Sequence, residues 1–270
     1  MDFTIKKYSQ LLNAFIDNGY QIATFTDYLN ANIGERYVIM RHDVDEQANN
    51  ALRMAQVEKE MGVKATYFFR MVKQSNNPNV IRQIAEMGHE IGYHYEDLSS
   101  AEGDFEKAIE SFKNNLEYFR TYYPIITVCM HGSSTSKYDN RTLWQRYKLE
   151  DYGLKGEPYL SVDFDKVFYM TDTGYAWDGG KYATRDVVEN KFGITFHSTD
   201  EIIASIVSGK FPSQSMILAH TLWTDSMLDW TYLHVREFVR NHIKRIAMNN
   251  KLVGLLNKKA VNLYWKKDKA

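Results

Sequence analysis

From residue 37 onward the chain alternates short apolar, β-branched runs with longer stretches of helical periodicity, and that alternation limits the folds open to it. The runs expected to form strands are 37–43, 64–70, 90–95, 125–131, 167–171, 194–196 and 215–220. Between the first two, 46–61 carries Ala51, Leu52, Ala55 and Val57 at helical spacing and stops at Gly62. A second helix over 80–87 stops at Gly88, and a long third one covers 101–122. Ser198 or Thr199 caps a helix over 200–207, with acids in its first turn, and 228–256 reads as one long helix or two. Strand–helix repetition is the signature of parallel βαβ units, and about seven of them predict an α/β fold, either a barrel or a doubly wound sheet. No repeat, low-complexity tract or Pro/Gly/Ser linker interrupts it, so 1–270 is expected to form a single domain with 226–256 as a C-terminal helical segment.

Both architectures build their sites at the C-terminal ends of the strands. Asp43 with Asp45, Arg70, His94, His131, Thr171 with Asp172, His197 and His220 all fall at or just past expected strand ends. A chance scatter of eight histidines would seldom do so.

The stretch MRHDVDEQAN at 40–49 concentrates the argument. Alternate strand residues share a face, so Arg41, Asp43 and Asp45 project together, with His42 and Val44 opposite. Carboxylates that close require a proton, a cation or a metal between them. Arg41 as a structural ion-pair partner is the plainer reading, a metal or catalytic role the sharper one. In GHEIGYHYEDL, His94 and Glu96 share a face and Asp97 lies just beyond, and these are donor types that zinc and related ions take. His89 precedes that strand and reads as structural. CMHGSSTSKYDN sets His131 before a Gly-Ser loop containing Ser133, which is either an oxyanion site or simply a turn. MILAHTLW holds His220 at the rim of a core, with Trp223 close behind.

Composition closes off several alternatives. Lys+Arg and Asp+Glu number 33 and 34, which gives no sign of a nucleic-acid or anionic-membrane partner, and the basic cluster at 258–269 reads as a solvated tail. Cys129 is the single cysteine, so neither an internal disulfide nor a thiolate cage is available. No apolar run is long enough for a membrane span, and the first residues lack a secretory pattern, so a cytoplasmic location is expected. The 19 tyrosines and 5 tryptophans often follow expected strands, where aromatic rings suit a sugar-binding cleft.

ATYFF at 65–69, GHEIGYH at 88–94 and MILAH at 216–220, following the RHDVD strand, resemble the NodB-type polysaccharide deacetylases of carbohydrate esterase family 4, in order and spacing, over residues 36–222. The RHDVD and HGSSTSKYDN versions resemble a divergent branch similar to proteins encoded with bacterial surface-polysaccharide biosynthesis genes. The resemblance implies a distorted (β/α)7 barrel that removes an N-acetyl group from a sugar or sugar-containing precursor with a divalent metal ion, zinc by preference. It implies Asp43 as base and His220 as the acid for the leaving amine. Val44 stands where the family has a ligand aspartate and Leu98 where it has a second ligand histidine. Asp45, His94, Glu96, Asp97 and His131 are therefore the candidate metal ligands. Arg41, Arg70, Ser133, Asp172, Trp177 and Trp223 are the candidate substrate contacts, the segment TDTGYAWDG resembling the family's site-walling stretch. The altered ligand positions leave two alternatives: a carbohydrate-binding barrel without metal, or a different sugar reaction on the same barrel.

Overall fold

The computed structural model describes residues 1–132, 136–177, 185–189 and 191–249, the last six of these as backbone alone. In chain order the elements are α1 (Ile5–Asp17), β1 (Gln21–Ala23), α2 (Phe25–Leu29), β2 (Tyr37–Val44), α3 (Ala48–Glu60), β3 (Thr66–Phe69), α4 (Pro78–Glu86) and β4 (Glu90–Tyr95). There follow α5 (Asp97–Ser100), α6 (Phe105–Arg120), β5 (Val128–Met130), α7 (Pro158–Ser161), β6 (Phe168–Thr171), α8 (Thr199–Val207), β7 (Gln214–Leu218) and α9 (Met227–Asn249).

β2 is the axis of the sheet and is buried at every position. On one flank it pairs with β7, from Tyr37 opposite Gln214 to Arg41 opposite Leu218. On the other flank its first half pairs with β1 and its second half with β3. The result is a seven-stranded parallel sheet in the order β5-β4-β3-β2-β7-β6, with β1 beside β2.

The two faces of this sheet are treated differently. Val38, Met40 and Val44 of β2 join Tyr67, Ile91 and Ile217 and the apolar sides of α1, α3, α4, α6 and α8 in one large outer core. The alternate residues Tyr37, Ile39, Phe68, Cys129, Tyr169, Met216 and Leu218 form a second, smaller core inside. Strands from both ends of the sheet order, β5 and β6, supply that inner core, so the sheet is curled around it with helices outside. This is the distorted (β/α)7 barrel expected from the sequence.

Its seventh strand differs from the one anticipated. Residues 194–196 are not a strand; Phe196 instead packs its ring on Phe211 at 5.7 Å. The missing strand is β1, three residues long and too short to show a period. Tyr8, Leu11, Leu12 and Phe15 of α1 lie in the outer core, so the barrel includes residues well before 36. The long helix expected from 101 begins at Phe105, because the Asp104 side chain accepts from the Glu106 and Lys107 amides. Ser198 caps α8, and the expected helical residues beyond 249 lie outside the described residues.

A buried polar cluster fastens β2 from the outside. Glu58 of α3, fully buried, accepts from Tyr8 Oη at 2.5 Å, Tyr67 Oη at 2.6 Å and His42 Nε2 at 2.8 Å. The other nitrogen of His42 reaches the Ala219 carbonyl at 2.9 Å. Burial alone would raise the Glu58 carboxyl, but His42, His89 and Tyr67 hold it below its ordinary range. His89 is structural, as the sequence suggested: Nδ1 accepts from the Ala65 amide at 3.2 Å and Nε2 faces the Ala55 carbonyl at 3.0 Å.

Gly92 in β4 is set by a close approach. A Cβ there would meet Phe68 Cδ1 and Cε1 at 2.3 Å and the Thr127 carbonyl oxygen at 3.0 Å. Gly92→Ala is expected to cost about 1–3 kcal/mol through overpacking, read as a lowered urea or thermal midpoint. An unchanged midpoint would mean that the ring yields freely.

Candidate active site

The inner-face positions alternate along each strand and leave the barrel at one end. β2 presents Arg41 and Asp43, with Asp45 next; β4 presents Gly92 and His94, with Glu96 next; β5 presents Cys129, with His131 next. The register sets His94 beside Cys129. Asp172 follows β6 and His220 follows β7.

Arg41 and Asp43 form a bidentate pair inside the barrel, Nε to Oδ1 at 2.8 Å and Nη2 to Oδ2 at 2.6 Å. The guanidinium is completely buried and also donates to Tyr159 Oη at 3.2 Å, with the Tyr159 ring 4.7 Å beneath it. Burial would raise the Asp43 carboxyl, but Arg41 and His94 hold it below the usual carboxylate range.

Beyond this pair three side chains converge. His94 Nε2 lies 3.3 Å from Asp45 Oδ1 and 3.5 Å from Asp43 Oδ2, and His131 Nε2 lies 3.5 Å from the same Asp45 oxygen. Each imidazole is tied at its other nitrogen: His94 Nδ1 to the Cys129 carbonyl at 3.0 Å, His131 Nδ1 to Glu96 Oε2 at 3.1 Å. Nδ1 is the donor to an acceptor-only partner in both, which leaves the Nε2 lone pairs facing a carboxylate. Asp45 Oδ1 is buried and lacks any hydrogen-bond donor. Lone pairs so arranged repel unless a proton or a cation lies among them. Burial lowers the His94 imidazole, but the Asp43 and Asp45 carboxylates outweigh it and raise the balance, so a proton is the substitute when no cation is present. These donors fit a divalent metal ion: one carboxylate oxygen and two imidazole nitrogens, both backed by a second shell.

Asp43, His94 and the Cys129 sulfur form another group, their ligand atoms within 4.8 Å of one another. That group is the poorer cradle. Both Asp43 oxygens are taken by Arg41, and burial pushes the Cys129 thiol well above its ordinary pKa, so it keeps its proton. The strand period of two that links Cys129 to His131 was the signal in the sequence for this placement of the sulfur.

Across the site His220 Nδ1 lies 2.7 Å from Asp172 Oδ1, which also accepts from the His220 amide at 2.9 Å. Asp172 Oδ2 accepts from Trp223 Nε1 at 3.0 Å. Burial alone would lower the His220 imidazole; Asp172, with Asp45 and Asp43, raises it to about 10.

Several expected site residues do other work. Asp97 is turned away by α5: its carboxylate accepts from Tyr93 Oη at 2.7 Å, Ser111 Oγ at 2.6 Å and Asn115 Nδ2 at 2.9 Å, and burial lifts it to about 6. It is not among the converging side chains. Glu96 accepts from Arg70 Nη2 at 2.8 and 2.9 Å and from His131 Nδ1, so it stands behind His131. Arg41, Arg70, Asp172 and Trp223 are buried and bonded to Asp43, Glu96, His220 and Asp172 in turn. Trp177 is buried in the outer core, its Nε1 donating to Thr199 at 2.8 Å, because a buried indole N–H needs an acceptor. His197 follows no strand; its amide donates to Glu201 at the start of α8. Ser133 lies outside the described residues. Tyr159, missed from the sequence, joins Arg41 to Asp186 through its hydroxyl, at 3.2 and 3.0 Å.

No protein-family model matches the chain, and no curated protein does. Among solved structures it is similar to a CE4-family pseudoenzyme from Bacillus anthracis, at 13% identity over 77% of this chain and 63% of the other, with a TM-score of 0.38. The family 4 carbohydrate esterase from Streptomyces lividans, solved with acetate, is 15% identical over 76% and 87% of the two chains, with a TM-score of 0.40. The polysaccharide deacetylase Bc1974 from Bacillus cereus is 13% identical over 77% and 89%, also at 0.40. The chain spans less than two thirds of the length of the B. anthracis protein.

His220 gives the site a measurable pH signature. Its folded pKa, near 10, exceeds the ordinary 6.5, so its stabilisation is complete below 6.5 and is lost as pH rises through about 10. In chelator-treated protein the unfolding midpoint is expected to fall across that window, by on the order of a few kcal/mol in stability. Asp172→Asn should flatten this part of the profile; an unchanged slope would show that the dyad is not its source.

Proposed function

We propose that this protein is a metal-dependent amide hydrolase of the NodB type that removes an N-acetyl group from a sugar or a sugar-containing precursor. The observation that carries this reading is the donor-free Asp45 oxygen facing His94 Nε2 and His131 Nε2 at 3.3 and 3.5 Å, with Asp43 beside it. In the family the chain resembles, ligands stand at the positions of Val44 and Leu98, and both of those side chains are buried in the outer core here. Asp45 and His131 supply a carboxylate and an imidazole in their stead.

Asp45, His94 and His131 would hold the ion, for which the mixed N/O donor set favours zinc. When bound, such an ion acidifies a water and polarises a carbonyl. Asp43, ionised at neutral pH, is the acceptor for a water proton, and Arg41 fixes both of its oxygens in place. His220, protonated at neutral pH and oriented by Asp172 through Nδ1, presents Nε2 as the donor to a departing amine. The acid and base thus come from two neighbouring strands, His220 after β7 and Asp43 on β2.

One observation favours a second reading, a barrel that binds sugar without cleaving it. Asp43 is tied bidentately to a buried guanidinium, and a carboxylate held below its usual range is a weaker base.

Metal analysis and acetate release separate the two. Purified protein is expected to carry about one divalent ion, lost in Asp45→Ala and His94→Ala. Asp43→Asn and His220→Ala should keep the ion and lower acetate release from N-acetylated sugars by about 10²-fold or more. Protein that takes up no metal on adding zinc ends the hydrolase proposal; metal uptake with no acetate release supports the binding-only barrel. Because the ion displaces the His94 proton, zinc affinity should be weaker at pH 6 than at pH 8, by about tenfold per pH unit for each proton displaced. Competition titration with a chromophoric chelator measures this, and a pH-independent affinity would remove His94 from the ligand set.

A further inference from the structure

The near-neutral charge of the chain conceals a division. Residues 227–270 hold ten lysines and arginines against three acidic residues, a net of +7, which leaves −8 on the first 226 residues. The positive part begins with α9, and α9 is placed on the molecule in an unusual way.

One side of α9 is fastened to the barrel. Leu233 is buried, Trp230 Nε1 donates to the Asp2 carbonyl at 2.8 Å, and Asn241 Nδ2 donates to the Gly174 carbonyl at 2.9 Å. Arg236 and Arg240 pair with Glu46 and Glu237, Arg240 Nη1 lying 3.0 Å from Glu46 Oε1. The opposite side carries Tyr232, Val235, Phe238, Val239 and Ile243, exposed by 62, 58, 64, 48 and 40%, and Leu228 at 84%. Between Trp230 and Ile243 the only other exposed residues are Thr231 and His242, so this face bears no permanent charge. A surface helix normally turns its charged side to water. Between Trp230 and Ile243 this one pairs its charged residues, Arg236, Glu237 and Arg240, with one another and with Glu46 and turns its apolar side outward, over about 20 Å of length.

We propose that the outward face of α9 seats the protein on an anionic lipid surface, lying in the interface without crossing it. A spanning role does not fit, since no described helix is long and apolar enough to cross a membrane. The choice of lipid over a second copy of the chain rests on charge. The sequence beyond α9, KLVGLLNKKAVNLYWKKDKA with Asn250 before it, mixes lysines with leucines, Tyr264 and Trp265, a composition that partitions to anionic headgroups. Two copies meeting through α9 would bring two such +7 segments together.

The full-length protein should float with phosphatidylcholine vesicles that contain phosphatidylglycerol, and at least about tenfold less with phosphatidylcholine alone. Val235→Glu with Phe238→Glu should abolish flotation while leaving the circular dichroism spectrum unchanged, because both side chains are already exposed. Light scattering of the wild-type protein should report a monomer. Absent or lipid-independent flotation overturns the proposal whatever the variant does. A wild-type oligomer that the double variant converts to a monomer, without vesicle binding, assigns the face to a second copy instead.

Discussion

No charge on β2 reaches water, and the rest of the molecule is arranged around that constraint. The strand is buried on both faces yet carries Arg41, His42 and Asp43 in succession. Removing an ion from water is worth several kcal/mol against folding unless a partner with good geometry is supplied. Inside the barrel the arginine and aspartate pair bidentately across two residues of one strand. Outside, His42 requires Glu58, and Glu58 in turn requires Tyr8 and Tyr67, so α1, α3 and β3 are all drawn to one point behind the site. The same histidine holds the Ala219 carbonyl, which fixes the backbone one residue before His220. The inner and outer chemistry therefore meet on a single strand.

Much of this was legible in the sequence, and for a definite reason. A strand period of two is rigid, so the sharing of a face by Arg41, Asp43 and Asp45, and the opposite placement of His42 and Val44, follow from counting. The placement of polar residues at strand ends carried the rest. What counting could not supply was how the chain leaves each strand. Asp45 and Glu96 continue the inner alternation, whereas Asp97, one residue later, begins a helical turn that rotates it to Tyr93 on the outer face. Trp177 and Trp223 follow strands and looked like cleft walls, but each indole N–H found a buried acceptor, on Thr199 and Asp172. Whether a ring is exposed is a tertiary property. β1 was missed because three residues carry no period.

The site itself is a set of imidazoles each held at one nitrogen. A backbone carbonyl does this for His94, a carboxylate for His131 and another carboxylate for His220. The partner selects which nitrogen is left facing the centre and fixes the plane of the ring. Glu96 is itself held by Arg70, so the support runs to a third layer before it meets the core. Arg70, Asp172 and Trp223, which sequence reasoning placed near the strand ends, are buried behind these imidazoles through their bonds to Glu96, His220 and Asp172.

The peptide that follows Asp45 belongs to Glu46, whose carboxylate is gripped by Arg236 and Arg240 and whose carbonyl accepts from Thr221 Oγ1 at 2.7 Å. Consecutive Cα atoms are about 3.8 Å apart, so the attachment point of α9 and the carboxylate facing two histidines are adjacent links of one chain. Among the points that fasten the long outer helix to the barrel, this one is a single residue away from the carboxylate that faces the two histidines, so a substitution at Glu46 would touch the anchor of α9 and the backbone of the site at once.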